Sequence, residues 1–189
     1  MKKLNLNFVA KFTVALIIVG AVIGCITHFR YNTDLNAYFA GFIDNISNNR
    51  INTFLFDISA LTGILAFSVS IVLSPLILFY LFYEGFSCGY TLAAYTSTYG
   101  SSGTVFYLLY FLMVKALYLA FIIYFTIMSI KFIHKIVLSV SNKDKETFYI
   151  EIKKHFMRYT VLLGAILINS TLIYLISSPL AKSLLSLLK

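Results

Sequence analysis

At 189 residues, 60% of them hydrophobic and only 12% charged, the chain departs from a water-soluble domain, which is about half apolar with about a quarter of its residues charged. Its mean hydropathy is +0.88, and its charges are clustered so that long uncharged runs remain, which argues against a soluble globular domain. The net charge of +8 sits at the flanks of apolar runs, a pattern of membrane orientation and lipid headgroup contact that argues against nucleic acid as partner.

Lys2, Lys3 and Lys11 precede the first apolar run, Phe12 to Phe29. The run exceeds the hydrophobic stretch of a signal peptide and lacks a small-residue exit, so it reads as a first spanning helix over 12–29. Residues 30–53 form a polar segment carrying Arg30, Asp34, Asp44 and Arg50. Leu35, Tyr38, Phe39 and Phe42 recur there at helical spacing, so an interfacial amphipathic helix and an irregular loop are equally good readings. The apolar stretch Phe54 to Tyr99 is too long for one crossing, and Pro75 divides it into helices over 54–73 and 76–96. The connection between them carries no charge, which leaves a re-entrant arrangement open. Tyr99-Gly100-Ser101-Ser102-Gly103 reads as a turn, followed by a fourth helix over 104–130.

The segment 131–158 is basic, with Lys131, Lys135, Lys143, Lys145, Lys153, Lys154 and Arg158. Phe148, Ile152 and Phe156 are spaced by four, which predicts an amphipathic helix on the bilayer surface for part of it. A fifth spanning helix is expected over 159–177, then Pro179 and a short Leu-rich tail. Lysine and arginine asymmetry places both the N-terminus and 131–158 in the cytoplasm. The four crossings between them satisfy that parity.

Glu84 falls near the middle of the third helix and Lys115 near the middle of the fourth. An ionisable side chain at the bilayer centre costs about 2.5–3.5 kcal/mol on insertion scales, so it is expected to face a partner or a cavity. The two residues are nearly equidistant from the glycine-serine turn, which puts them at one depth and predicts an intramembrane ion pair. As a register-fixing pair it is structural; as a proton or ion pathway it is functional, and a lone pair makes a poor relay. Gly85 and Gly89 form a small-xxx-small helix-packing face beside Glu84. Asp57, near the outer end of the second helix, suits a helix N-terminus. Tyr80, Tyr83, Tyr90, Tyr95, Tyr99, Tyr107, Tyr110 and Tyr118 crowd the central hairpin; those near its ends suit interfacial anchors, and those at mid-depth need hydrogen-bond partners. Cys25 and Cys88 read as small buried hydrophobes.

Gly100-Ser101-Ser102-Gly103 matches the G-x-S-G pattern of intramembrane serine proteases, which require a histidine on a later helix. His134 and His155 are expected at the opposite membrane face and His28 comes too early, so the motif reads as a turn. No metal-binding or cofactor-binding motif is present, and none of these ligands is expected.

The run Phe82-Tyr83-Glu84-Gly85-Phe86-Ser87-Cys88-Gly89-Tyr90, the glycine-serine turn and Phe106 to Tyr124 resemble the stage II sporulation protein M family. Glu84 stands where that family often has Asn, and Met113-Val114-Lys115-Ala116 where many members have a Pro-His-Gly-like element. The resemblance implies a small multi-spanning bacterial protein that recruits or localises cell-envelope hydrolases and is not itself an enzyme. Some relatives look like partners of transport ATPases, which implies the alternative of a transporter subunit. The expected fold class is all-α, a polytopic transmembrane helical bundle with about five spanning helices and interfacial amphipathic helices. The expected place is the bacterial cell membrane, multi-pass with a cytoplasmic N-terminus. Membrane lipid and envelope hydrolases or other membrane proteins are the expected partners, and a homo-oligomer is admitted.

Overall fold

The computed structural model describes residues 6–31, 50–70 and 72–185; the side chains at 6, 50–57, 110, 112–114, 170 and 172–185 lie outside that description. The described residues form five helices and no strand: α1 (Leu6–Tyr31), α2 (Arg50–Val69), α3 (Pro75–Val114), α4 (Ala116–Ser141) and α5 (Lys145–Leu185). Among the described residues three stretches are long and apolar enough to cross a membrane: Asn7–Tyr31, Pro75–Leu109 and Ala116–Ser141. A shorter apolar helix covers Ile58–Val69. Most of the polar segment expected over 30–53 falls on residues 32–49, outside the description, as does the side chain of Asp57.

Pro75 opens α3 at the first helical turn, where its missing N–H leaves no bond unmade. α3 is folded back on itself at Gly100, whose φ of 62° and ψ of −139° are open to glycine alone without strain. Were the helix straight, Tyr80 and Tyr118 would stand roughly 57 Å apart at 1.5 Å per residue; their hydroxyls are 2.8 Å apart. The legs 75–99 and 101–114 are therefore antiparallel neighbours. Gly103 lets the second leg press on the first, because a Cβ there would overlap the Tyr95 carbonyl. Thr96 and Thr104 join hydroxyls across the reversal at 2.9 Å. Beyond it Tyr95 packs its ring on Phe106 and Tyr107, with centroids 5.4 and 5.8 Å away.

The helix expected to start at 104 thus starts just past Gly100. The rod continues past 130, because Lys115 is a mild distortion whose N–H still bonds the Phe111 carbonyl and α4 runs on to Ser141. The reversal into α5 is three residues long and capped from both sides. Asp144 N–H bonds the Ser139 carbonyl and Lys143 N–H the Val140 carbonyl, a Schellman closure of α4. Lys143 takes the left-handed position with φ 55°. Asp144 then accepts the Thr147 N–H at 3.0 Å and caps α5.

The first half of α5 packs along α4 instead of lying apart on a surface, and it continues without a break into the stretch expected at 159–177 and past Pro179. The cause is its buried stripe. Glu151, His155, Leu162 and Ile166 are buried, leaving Tyr149, Met157, Val161 and Ile168 outward. The hydrophobic core joins α2, α3, α4 and α5 through Leu61, Ile64, Ile77, Leu81, Ile122, Phe125, Leu162 and Ile166.

α1 packs chiefly on the first leg of α3, and it does so backbone to backbone. A Cβ at Gly85 or Gly89 would overlap the carbonyls of Ile17 and Ala21, and one at Gly20 or Gly24 those of Phe82 and Phe86. The two G-x-x-x-G faces therefore interlock, with α1 and the 75–99 leg running in the same direction. Hydroxyls that would otherwise be unsatisfied bond back to their own helix: Thr27 to Ile23, Thr91 to Ser87, Thr160 to Phe156.

Candidate functional site: a polar layer inside the bundle

Three groups of polar side chains are folded into the helix contacts. The central one gathers on Glu84, whose exposure is 2%. One helical turn before it, Tyr80 donates its hydroxyl to Glu84 Oε1 at 2.5 Å. That spends the only proton of Tyr80, so Tyr118, 2.8 Å away, donates to the Tyr80 oxygen. Lys115 Nζ stands 3.9 Å from Glu84 Oε2, with Lys115 33% exposed and Glu84 nearly closed off. This exceeds hydrogen-bond range, so the attraction is Coulombic. The same ammonium lies 5.6 Å from the centroid of the Tyr118 ring, a cation–π contact. Tyr80 thus offers the carboxylate a donor and Lys115 a cation, and the set ties α3 to the start of α4. One turn toward Gly100, Tyr107 donates to the Cys88 carbonyl at 3.0 Å, and Cys25 of α1 donates its thiol to the Gly89 carbonyl at 3.1 Å.

The second group lies toward the Gly100 end. His28 of α1 is buried and its Nε2 is 2.9 Å from Ser97 Oγ. Ser97 gives its proton to the Ala94 carbonyl, so His28 Nε2 carries the hydrogen and donates. Tyr90 meets the imidazole edge-on at 5.1 Å. The histidine on the side of the Gly-Ser-Ser-Gly turn is therefore committed to Ser97, while Ser101 and Ser102 are exposed at the reversal.

The third group lies at the opposite end, where sequence reasoning placed a basic loop. His155 is fully buried between Phe125 and Phe132, with ring centroids 5.3 and 4.1 Å away and planes within 9° and 5°. Its Nε2 is 2.8 Å from Ser68 Oγ of α2. Ser68 donates to the Leu65 carbonyl, so His155 also donates through Nε2 and keeps Nδ1 as an acceptor. His155 Nδ1, Ser129 Oγ and Thr126 Oγ1 are buried without a hydrogen-bond partner among the described residues. Further along the hairpin Lys135 pairs with Glu151, and Tyr159 donates to Thr62, whose own proton goes to Ile58. Between this group and Glu84 lies an aliphatic layer of Ile77, Leu81 and Ile122, all buried.

Of the residues singled out from sequence, the fold brings Glu84 to Lys115 and sets Gly85 and Gly89 against α1. Sequence reasoning missed Tyr80 and Tyr118 as members of the Glu84 set, and His28 and His155 as buried clasps. An i, i+4 spacing of Tyr80 and Glu84 was the available signal for the first. Nothing local distinguishes the two histidines, since their serine partners come from distant helices. Among the described residues no group of three histidine, cysteine, aspartate or glutamate side chains is arranged to hold a metal ion. No protein-family model, no curated protein and no solved structure matches the chain.

Proposed function

We propose that the chain is a five-crossing bacterial membrane protein that serves as a non-catalytic scaffold for cell-envelope hydrolases. The observation that carries this reading is the use of the interior polar residues. Glu84, His28 and His155 are each engaged by side chains of other turns or other helices, the arrangement of fasteners that hold a bundle in register. A buried apolar layer parts the Glu84 set from the His155 set, which speaks against a continuous polar path. The hydrolase as partner rests on the stage II sporulation protein M resemblance of residues 82–90 and 106–124 alone. The cytoplasmic N-terminus rests on the lysines, since the start of α1, the α2–α3 connection and the basic hairpin all lie at one end.

The second reading, a membrane subunit of an ATPase-driven transporter, is favoured by the basic α4–α5 hairpin. The Lys135–Glu151 pair lies beyond the Ser68–His155 contact with α2. Among the described residues the hairpin therefore extends past the end of α2 as a pair of helices. Co-purification of the tagged full chain after cross-linking in native membranes separates the two. Recovery of an envelope hydrolase supports the scaffold. Recovery of an ATPase that is lost when the tip of the hairpin is altered supports the transporter subunit. Recovery of neither overturns the scaffold reading.

A further inference from the structure

The outward face of α5 is continuous from the core of the bundle to the projecting hairpin. Ile168 and Val161 lead to Met157 and Phe156, then to Lys154 and Lys153, all exposed. Met157 is 68% exposed. A face of this kind is lipid-facing where it is apolar, and the two lysines mark where it leaves the acyl region.

The register of the hairpin adds further cations at that depth. Phe132 stacks on His155, and Lys135 meets Glu151. Lys131 therefore stands within about one turn of Lys154 and Arg158 along the bundle axis. The acid nearest this layer, Glu151, is buried and held by Lys135. The exposed acids of this hairpin, Asp144 and Glu146, lie at the turn, about two helical turns further out.

We infer that Lys131, Lys153, Lys154 and Arg158 form a belt that binds the phosphodiester headgroups of anionic phospholipids, with Phe156 and Met157 against the adjoining acyl chains. Charge complementarity selects an anion. The apolar continuation of the same face selects a lipid over a soluble anion, because only a lipid fills both halves of the surface.

The test uses the full chain in detergent, titrated with phosphatidylglycerol or phosphatidylcholine and read by native mass spectrometry. Phosphatidylglycerol is expected to be retained preferentially. K153Q/K154Q is expected to weaken that preference by roughly five-fold per lysine removed. K143Q/K145Q removes the same charge at the turn and is expected to keep the preference. Equal retention of the two lipids by the unaltered chain overturns the inference. So does an equal loss in both double variants, which would report net charge instead of a belt. Displacement of phosphatidylglycerol by inorganic phosphate at matched concentration would mark a soluble-anion surface and also overturn it. Circular dichroism of each variant verifies that the helices persist.

Discussion

Glu84 brings a carboxylate to the inside of an apolar bundle, and three side chains share the work of holding it there. Tyr80 occupies one oxygen by hydrogen bond, Lys115 faces the other by charge, and Tyr118 supports both the tyrosine and the lysine. Lys115→Met leaves the carboxylate with Tyr80 alone and is expected to lower stability by about 1–3 kcal/mol. That is less than for a fully buried pair, because Lys115 is one third exposed. Glu84→Gln keeps an acceptor for Tyr80, so the double variant E84Q/K115M should lose less than the two single losses added together. Unfolding in mixed micelles measures all three, and strict additivity would refute the coupling. Equal distance from the glycine-serine turn suffices to set Glu84 and Lys115 at one depth. It cannot supply the tyrosines, whose roles depend on rotamers. At the other end of the charge scale Asp144 is fully exposed, and its hydrogen bonds from Thr147, hydroxyl and N–H, hold its carboxyl below the usual range. A folded value below the unfolded one means that the cap contributes fully above the ordinary carboxylate range. The contribution is lost as pH falls through the lowered value. The protection factors of the amides at the start of α5, each taken against the intrinsic exchange rate at that pH, should therefore fall on acidification and stay flat from neutral to mildly alkaline pH; protection factors unchanged in acid would contradict the cap.

Helix pairing rests on glycine at one interface and on capping at another, and the two differ in how well sequence announces them. The α1–α3 contact is made where Gly20, Gly24, Gly85 and Gly89 each lack a Cβ that would overlap the facing backbone. Gly89→Val is expected to push α1 off α3, at about 1–3 kcal/mol or more. Gly164→Ala, where a Cβ meets nothing within 4 Å, should leave stability unchanged or slightly raised. Thermal unfolding of the two variants side by side is the measurement, and equal losses would remove the close-approach account. The G-x-x-x-G of α3 stands out in sequence beside a charged residue; its mate in α1 is present in the same form but hides in a uniformly apolar run. The α4–α5 reversal is harder to read. A left-handed helix terminus is ordinarily marked by glycine, and here Lys143 occupies it, so Asn142-Lys143-Asp144 looks like part of a charged loop. Lys143→Gly relieves a conformation that L side chains adopt at a cost of about 1–2 kcal/mol, less the entropy glycine loses on folding. A small gain in stability of the hairpin is expected, and a clear loss by the same unfolding assay would show that the lysine side chain contributes more than its backbone strain removes.

Across the whole molecule the helix directions form one consistent set. α1 and the 75–99 leg run together through their glycine faces. The 101–114 leg and α4 run back, as Glu84–Lys115 and Tyr80–Tyr118 require. α5 returns along α4 with Lys135 on Glu151 and Phe125 near Tyr159, and α2 opposes α5 through Thr62–Tyr159 and Ser68–His155. Hydropathy makes the two connections at Pro75 and Gly100 legible, because lipid demands apolar length and these residues interrupt it, but it does not fix the number of crossings: five are expected from it, whereas among the described residues three stretches are long and apolar enough to cross. It does not reveal helix continuity. Residues 145–158 look amphipathic, and amphipathicity alone does not distinguish a bilayer surface from the flank of another helix; burial of Glu151 and His155 against α4 decides for the flank. The directions place the Gly100 reversal and the Lys143 reversal at opposite ends of the bundle, and both Ser102 and Lys143 are exposed there. In a chain with Cys25 and Cys88 replaced by alanine, Ser102→Cys and Lys143→Cys should react with a membrane-impermeant maleimide from opposite faces. With a cytoplasmic N-terminus, position 102 labels in intact cells and position 143 only after permeabilisation. The reverse pattern would overturn the lysine-based orientation and leave the bundle standing, whereas labelling of both positions from one face would break the alternation of helices on which the bundle itself depends.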